Sequence, residues 1–181
     1  MLERDLYEPV DDYLQVRFSA SLRPLYGEFK HLTSITATAG GNDTGKWSKP
    51  DLCLVALWRH KFSPTWQLDL HGFEVKPEHR CTIESVHEAL SHTSHVNYAH
   101  LVWHSPKWQD ADVKCQAIAD RCQRHGVGLI TMRNECDASS YVIRVPAKRV
   151  PISGDATDEF IETRFQPGER HKLIEWLEKV R

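Results

Sequence analysis

The sequence predicts an α/β fold built on a mixed central sheet flanked by helices. Three observations carry that prediction. A helical apolar period opens the chain, three strand-like runs follow with no helix between them, and helical and strand-like segments then alternate. Consecutive strands joined by short turns favour antiparallel pairing, whereas helical crossovers favour parallel pairing. The two halves together therefore imply a sheet of mixed direction.

Each element has its own signal. Leu6, Val10, Tyr13, Leu14 and Phe18 recur at helical spacing and predict a helix over 6–18. Proline is tolerated in a first helical turn, so Pro9 places the start of the helix proper near Glu8. Residues 32–39, rich in Thr and Ile, read as a strand, and Gly40-Gly41-Asn42-Asp43 as a turn. Residues 52–58 form an apolar run suited to a buried strand, and Pro64 marks the turn before a further strand over 66–76. Thr82 can cap a helix reaching about residue 98, with Ile83, Val86, Ala89 and Leu90 on one face. Residues 99–103 read as a short strand, and 109–125 as a helix that Gly126 stops before a strand over 127–132. One more strand over 139–145 and an amphipathic helix over 170–180, carrying Leu173, Ile174, Leu177 and Val180, complete the chain.

A chain of 181 residues, 40% apolar and 27% charged, can bury a full core as one domain. No internal repeat or low-complexity linker divides it. No apolar stretch approaches the roughly 20 residues that span a bilayer, so no membrane partner is expected. The charged N-terminus lacks the apolar core of a signal peptide. The five cysteines are scattered, without Cys-x-x-Cys spacing, so neither a disulfide framework nor a zinc ribbon is implied. A reducing cytoplasm is the expected location.

The chemistry concentrates at two places. Pro50-Asp51 puts a carboxylate at the start of the first buried strand, and Phe73-Glu74-Val75-Lys76 closes the next one. Side chains alternate along a strand, so Glu74 and Lys76 share one face while Phe73 and Val75 share the other. Two carboxylates converging beside an ammonium suit a hard divalent cation and an activated water. Glu/Asp-x-Lys also occurs at Glu28-Phe29-Lys30 and Asp112-Val113-Lys114. Only the middle copy follows Pro-Asp at hairpin distance on a strand-like segment.

Pro50-Asp51 with Glu74-Val75-Lys76 resembles the signature of the PD-(D/E)XK nuclease superfamily, whose fold is restriction-endonuclease-like. The order helix, three-strand meander, helix, strand over about residues 5–132 matches that superfamily's core, and residues 133–181 form a C-terminal strand and helix extension beyond it. The resemblance implies a metal-dependent endonuclease that hydrolyses phosphodiester bonds, most readily in DNA, in a defence, repair or mobile-element setting. It implies that Asp51 and Glu74, with the Val75 carbonyl, hold Mg²⁺ (Mn²⁺ as a substitute), and that Lys76 orients the attacking water or stabilises charge on the phosphate. Many superfamily members carry an accessory carboxylate on the first helix, which points to Glu8. They place a polar residue on the helix after the lysine, often glutamine, which points here to His87 with Ser91 four residues on. The alternative implied by the same fold is a catalytically silent binding or assembly module.

A nuclease needs cations for phosphate. The net charge is −2, so they must be local: Lys46 and Lys49 before Asp51, Arg59, His60 and Lys61 after its strand, and His79 and Arg80 after Lys76. No zinc finger or helix-turn-helix is present to read sequence, so targeting by a protein partner is expected, and a homodimer is compatible with double-strand cutting. Trp47 and Trp108 lie in loop-like contexts and are interface candidates.

Three other patterns carry less. Gly40 to Lys46 matches the start of a phosphate-binding loop, but Trp47 stands where Ser or Thr should hold Mg²⁺, and Pro50 prevents the helix that should follow. His87, His92, His95, His100 and His104 suggest a zinc site, yet His100 and His104 on one strand would lie about 13 Å apart. Cys81 is either a reactive thiol beside Lys76 or an inert buried one.

Overall fold

The computed structural model describes residues 1–37 and 49–178. The glycine-rich loop 40–46, Trp47, the last residues of the strand expected over 32–39, and Val180 lie outside the described residues.

Among the described residues, six strands form one sheet in sequence order: β1 (Gly27–Ile35), β2 (Leu52–His60), β3 (Gln67–Lys76), β4 (Tyr98–His104), β5 (Gly128–Met132) and β6 (Tyr141–Val145). β1, β2 and β3 pair antiparallel, β3–β4 and β4–β5 pair parallel, and β5–β6 pairs antiparallel. The sheet is therefore mixed and flanked by helices, as the order of periodicities predicts. No helix among the described residues is long and apolar enough to cross a membrane.

The N-terminal helical stretch is longer than its apolar period suggests. A 3-10 turn over Glu3–Leu6 leads into α1 (Tyr7–Tyr13), a π turn over Leu14–Phe18 and α2 (Ser19–Leu22). Pro9 falls in the first turn of α1, where its missing N–H costs nothing. Leu6, Val10, Leu14 and Phe18 pack on Leu52, Leu54, Phe73 and Val75, one face of the sheet. The intervening residues of β2, Cys53, Val55 and Leu57, face the opposite side and meet Phe160, Phe165 and Leu173. This double burial is why 52–58 reads as a continuous apolar run.

β1 starts five residues earlier than expected. It is an edge strand of polar, half-buried residues, so the apolar signal is weak at its start, where Glu28 instead salt-bridges Arg59 directly across the ladder. α3 (Ile83–Ser91) stops well short of residue 98. The Ser91, Thr93 and Ser94 hydroxyls donate back to the carbonyls of Glu88, Leu90 and Ser91 and tighten the chain into a 3-10 turn over His92–Ser94. α4 (Val113–His125) begins at an Asp112 cap that accepts from the Cys115 amide at 2.9 Å, and ends at Gly126 in the left-handed region, φ 73°.

α5 (Gly154–Arg164) was not expected from the sequence. Ser153 caps it by accepting from the Ala156 amide, and Phe160 is the one fully apolar anchor it buries. It packs with α6 (Pro167–Glu178) over the β2–β3 face through Phe160, Phe165 and Leu173. Residues 133–178 thus complete the sheet with β6 and cover one of its faces.

Candidate active site

The site forms where β2 begins and β3 ends. Pro50 lies over Gly72, where an added Cβ would come within 3.2 Å of the proline ring, so the missing side chain admits the Pro-Asp turn. Asp51 is fixed through its backbone: its amide donates to the Phe73 carbonyl, and its carbonyl accepts from the Thr36 and Ala37 amides, each at 2.9 Å. The side chain is fixed as well. Asp51 Oδ2 accepts from the Val75 amide at 2.8 Å, and Oδ1 accepts from the Tyr7 hydroxyl at 2.8 Å. Because amide and carbonyl of a strand residue point to the same side, the Val75 carbonyl faces past the end of β2 too.

Glu74 and Lys76 share a face of β3, as alternation requires, and both are buried. Lys76 Nζ lies 2.5 Å from Glu74 Oε1, 3.1 Å from Glu88 Oε2 and 3.3 Å from Glu3 Oε2. The other Glu74 oxygen, Oε2, lies 2.9 Å from His92 Nε2. Glu3, Asp51 and Glu74 each present a carboxylate oxygen, and these oxygens lie within 4.8 Å of one another. A cleft of about 460 Å³, lined by Glu3, Lys76, Arg80, Thr82, Ser85 and Glu88, opens beside them.

Charge in this site is unbalanced. Burial, then the Glu74 charge, pushes the Asp51 carboxyl up to about 7, against the hydrogen bonds from Val75 and Tyr7. Burial pushes Glu74 up to about 8 despite Lys76 beside it. Burial opposes the Lys76 ammonium, yet Glu74, Glu3 and Glu88 together hold its pKa above the ordinary lysine value. Burial lowers His92 to about 4, so its imidazole is neutral and donates or accepts as a dipole only. Its Nδ1 is buried without a partner among the described residues. Three carboxylates around one ammonium, with Asp51 beside two of them, favour a further cation, and an all-oxygen donor set without Cys or His suits a hard one such as Mg²⁺.

The sequence-predicted residues divide clearly. Asp51, Glu74, Val75 and Lys76 come together. Glu8 does not: it is exposed, and Glu3, one helical turn before α1, brings the N-terminal carboxylate to the cluster. His87 does not either. Its ring meets His125 of α4 edge-on at 5.3 Å, while Ser91 Oγ donates to the Glu88 carbonyl. The flank that faces β3 lies one residue further along and carries Glu88 of α3 and His92 of the 3-10 turn that follows it. Lys49 stands half-buried just before Pro50.

Of the cations expected near phosphate, Arg80 lines the cleft, whereas Arg59, His60 and Lys61 lie at the far end of β2. Trp108 is no exposed interface residue: it is buried, edge-on to Trp103, with its Nε1 donating to Asp110 at 2.7 Å. Cys81 is fully buried, and burial raises its thiol pKa far above the reactive range. His100 pairs with His71 and His104 with Glu135, so the histidines form no common ligand set among the described residues.

Glu3, Tyr7, Glu88 and His92 are the residues that sequence reasoning missed. Glu3 and Tyr7 are four apart, as are Glu88 and His92, so each pair has the spacing of one helix face. A scan against protein-family models and a search of curated proteins find no match to this chain.

Proposed function

We propose that the chain is a Mg²⁺-dependent nuclease that hydrolyses phosphodiester bonds in DNA, acting in the cytoplasm and directed to its target by a partner chain or a second copy of itself. The observation that supports this reading is the convergence of Glu3, Asp51 and Glu74 oxygens within 4.8 Å of one another, beside the Lys76 ammonium. That is the donor set a hard divalent ion requires, and the Pro-Asp and Glu-x-Lys residues that form it resemble the PD-(D/E)XK signature.

Glu3, Asp51 and Glu74 would hold the ion, with the Val75 carbonyl as a further oxygen. When bound, such an ion polarises the phosphate and lowers the pKa of a coordinated water. The chain's own groups do the rest. Tyr7 and the Val75 amide hold the Asp51 carboxylate in one orientation. Glu3 and Glu88 hold the Lys76 ammonium, which donates to the phosphate and stabilises the charge that develops there. Arg80, at the rim of the cleft, pairs with a flanking phosphate.

Cleavage of plasmid, single-stranded DNA and RNA is the test, with Mg²⁺ or Mn²⁺ against EDTA and with Glu74→Ala and Lys76→Ala alongside. Metal-dependent cleavage of DNA that both substitutions abolish is the expected result. A folded wild-type protein that neither cleaves nor binds metal overturns the proposal in favour of a silent assembly module.

A further inference from the structure

A second cavity lies on the opposite face of the sheet, toward the other end of β3, and the nuclease reading does not use it. It encloses about 430 Å³, the size of a small-molecule site. The helical stretch supplies Phe18 and Leu22 and the sheet supplies Trp58, His60, His71, Tyr98 and His100, with no Asp, Glu, Lys or Arg in the lining. The π turn ends on Phe18, whose ring stands edge-on to His71 at 5.7 Å and to His100 at 5.3 Å. Tyr98 stacks on His71 at 4.4 Å, and Phe73 on His100 at 4.6 Å.

The floor of this cavity is polar in one place. His71 Nδ1 and His100 Nε2 are 3.1 Å apart, and both residues are more than nine-tenths buried. Gly128 makes room for the pair: a Cβ there would come within 2.4 Å of His100 Nδ1. The outer nitrogens, His71 Nε2 and His100 Nδ1, have no hydrogen-bond partner among the described residues. Burial keeps both rings neutral. Two neutral imidazoles carry two N–H hydrogens between four nitrogens. One hydrogen lies in the mutual bond, so the outer nitrogens offer one donor and one acceptor.

We infer that this cavity binds an uncharged, planar heteroaromatic ring of nucleobase size, stacked among the aromatic side chains and hydrogen-bonded to the His71–His100 pair. Walls without Asp, Glu, Lys or Arg disfavour an ionic ligand, because beyond the exposed His60 its charge would find no counter-ion there. Aromatic walls favour a flat ring. The two unpaired nitrogens require polar atoms on its edge, since a hydrocarbon would leave them unsatisfied. The inference is independent of the nuclease reading.

The test is a titration of the ¹H–¹⁵N spectrum of the full chain with benzimidazole, which carries one donor and one acceptor, and with indene, which has the same shape and neither. Benzimidazole is expected to bind about tenfold more tightly than indene, with shifts centred on Phe18, Tyr98 and His100. His71→Phe, which keeps the stacked ring, should bring the two affinities together. Ser21→Trp, an exposed rim position outside the core, should abolish binding in a folded protein. Adenine and oligodeoxyadenylate then distinguish a free base from one carried on a strand, and binding of either supports the inference. Equal affinity for indene, binding that survives Ser21→Trp, or no shift with any probe overturns it.

Discussion

The Val75 amide donates to Asp51 Oδ2 at 2.8 Å, so the carboxylate that precedes β2 is oriented by the strand that carries Glu74 and Lys76. One backbone hydrogen bond thereby fixes the two halves of the site relative to each other. Asp51 is nonetheless a buried carboxylate beside a second one, and its pKa is pushed up to about 7 by burial and by Glu74. The arrangement that suits a cation is strained without one. Asp51→Asn should therefore lower cleavage at least 100-fold while raising the melting temperature in EDTA at pH 8 by about 2–4 °C, as relief of roughly 1 kcal/mol in a chain of this size gives. Parallel cleavage and thermal-melt measurements check both; a lower melting temperature would show that the carboxylate is structurally required.

Stability without metal should fall as pH rises from 6.5 to 8. Asp51 and Glu74 have folded-state pKa values raised to about 7 and about 8 from 3.8 and 4.5. The stability linked to their protons is fully present below the unfolded values and is lost as pH climbs through the folded ones. Buried histidines act in the opposite sense. His92 and His100 are lowered to about 4 and about 3 from 6.5, so the stability they contribute is present above 6.5 and lost as pH falls through those folded values. Between pH 6.5 and 8 the carboxyls dominate, and the loss should be about 1–2 kcal/mol, a few degrees in melting temperature. Magnesium should remove the decline. Thermal melts in EDTA and in Mg²⁺ across that window test it, and a flat EDTA profile would contradict the raised carboxyl values.

Asp51, Glu74 and Lys76 were legible because strand alternation and the Pro-Asp turn act over two or three residues. The helical contributions were not, because periodicity gives a helix its buried stripe but not the direction in which it crosses the sheet. On α3 both the 87/91 and the 88/92 flanks border the Val86–Ala89 stripe, and only packing against α4 shows that His87 turns toward His125. Glu3 was missed for a related reason. Leu6 begins the apolar period, yet it closes the 3-10 turn, and no other apolar residue in that turn marks the start. α5 hid behind a weak stripe with Phe160 as its single buried anchor, although Ser153 is a recognisable cap. The sheet was read well because β2 and β3 are buried on both faces, and β1 poorly at its exposed edge.

His92 should matter to cleavage and His87 should not. His92 Nε2 meets Glu74 Oε2 at 2.9 Å and restricts that carboxylate to one orientation. Partners that orient metal-binding carboxylates typically account for 10–100-fold in activity or metal affinity. His92→Ala should cost about that much and weaken Mn²⁺ binding, whereas His87→Ala should stay within about twofold. Single-turnover cleavage and Mn²⁺ titration of the two variants separate the roles, and equal losses would place the 87/91 flank in the site after all.

Arg149 anchors the C-terminal extension to the sheet. Its guanidinium grips Asp69 of β3 through Nε and a terminal nitrogen, the shortest contact being 2.8 Å, and Asp69 is buried while Arg149 is half-exposed. The chain next to it is tied down as well: Val150 donates to the Asn97 carbonyl at 2.8 Å and accepts from the Asn97 side chain. Removing the arginine leaves a buried carboxylate without its partner, which is costlier than losing both. Discounted for the exposure of Arg149, Arg149→Ala should destabilise by about 1–3 kcal/mol, and Asp69→Asn introduced with it should recover much of the loss. Urea unfolding of the single and double variants measures the difference. Because Leu70 on the same strand also bonds to Asn97 Oδ1 at 2.9 Å, the single variant should loosen α5 and α6 before it disturbs Glu74 and Lys76. Hydrogen exchange would show that order as faster exchange at Phe160 and Leu173 than at Val75.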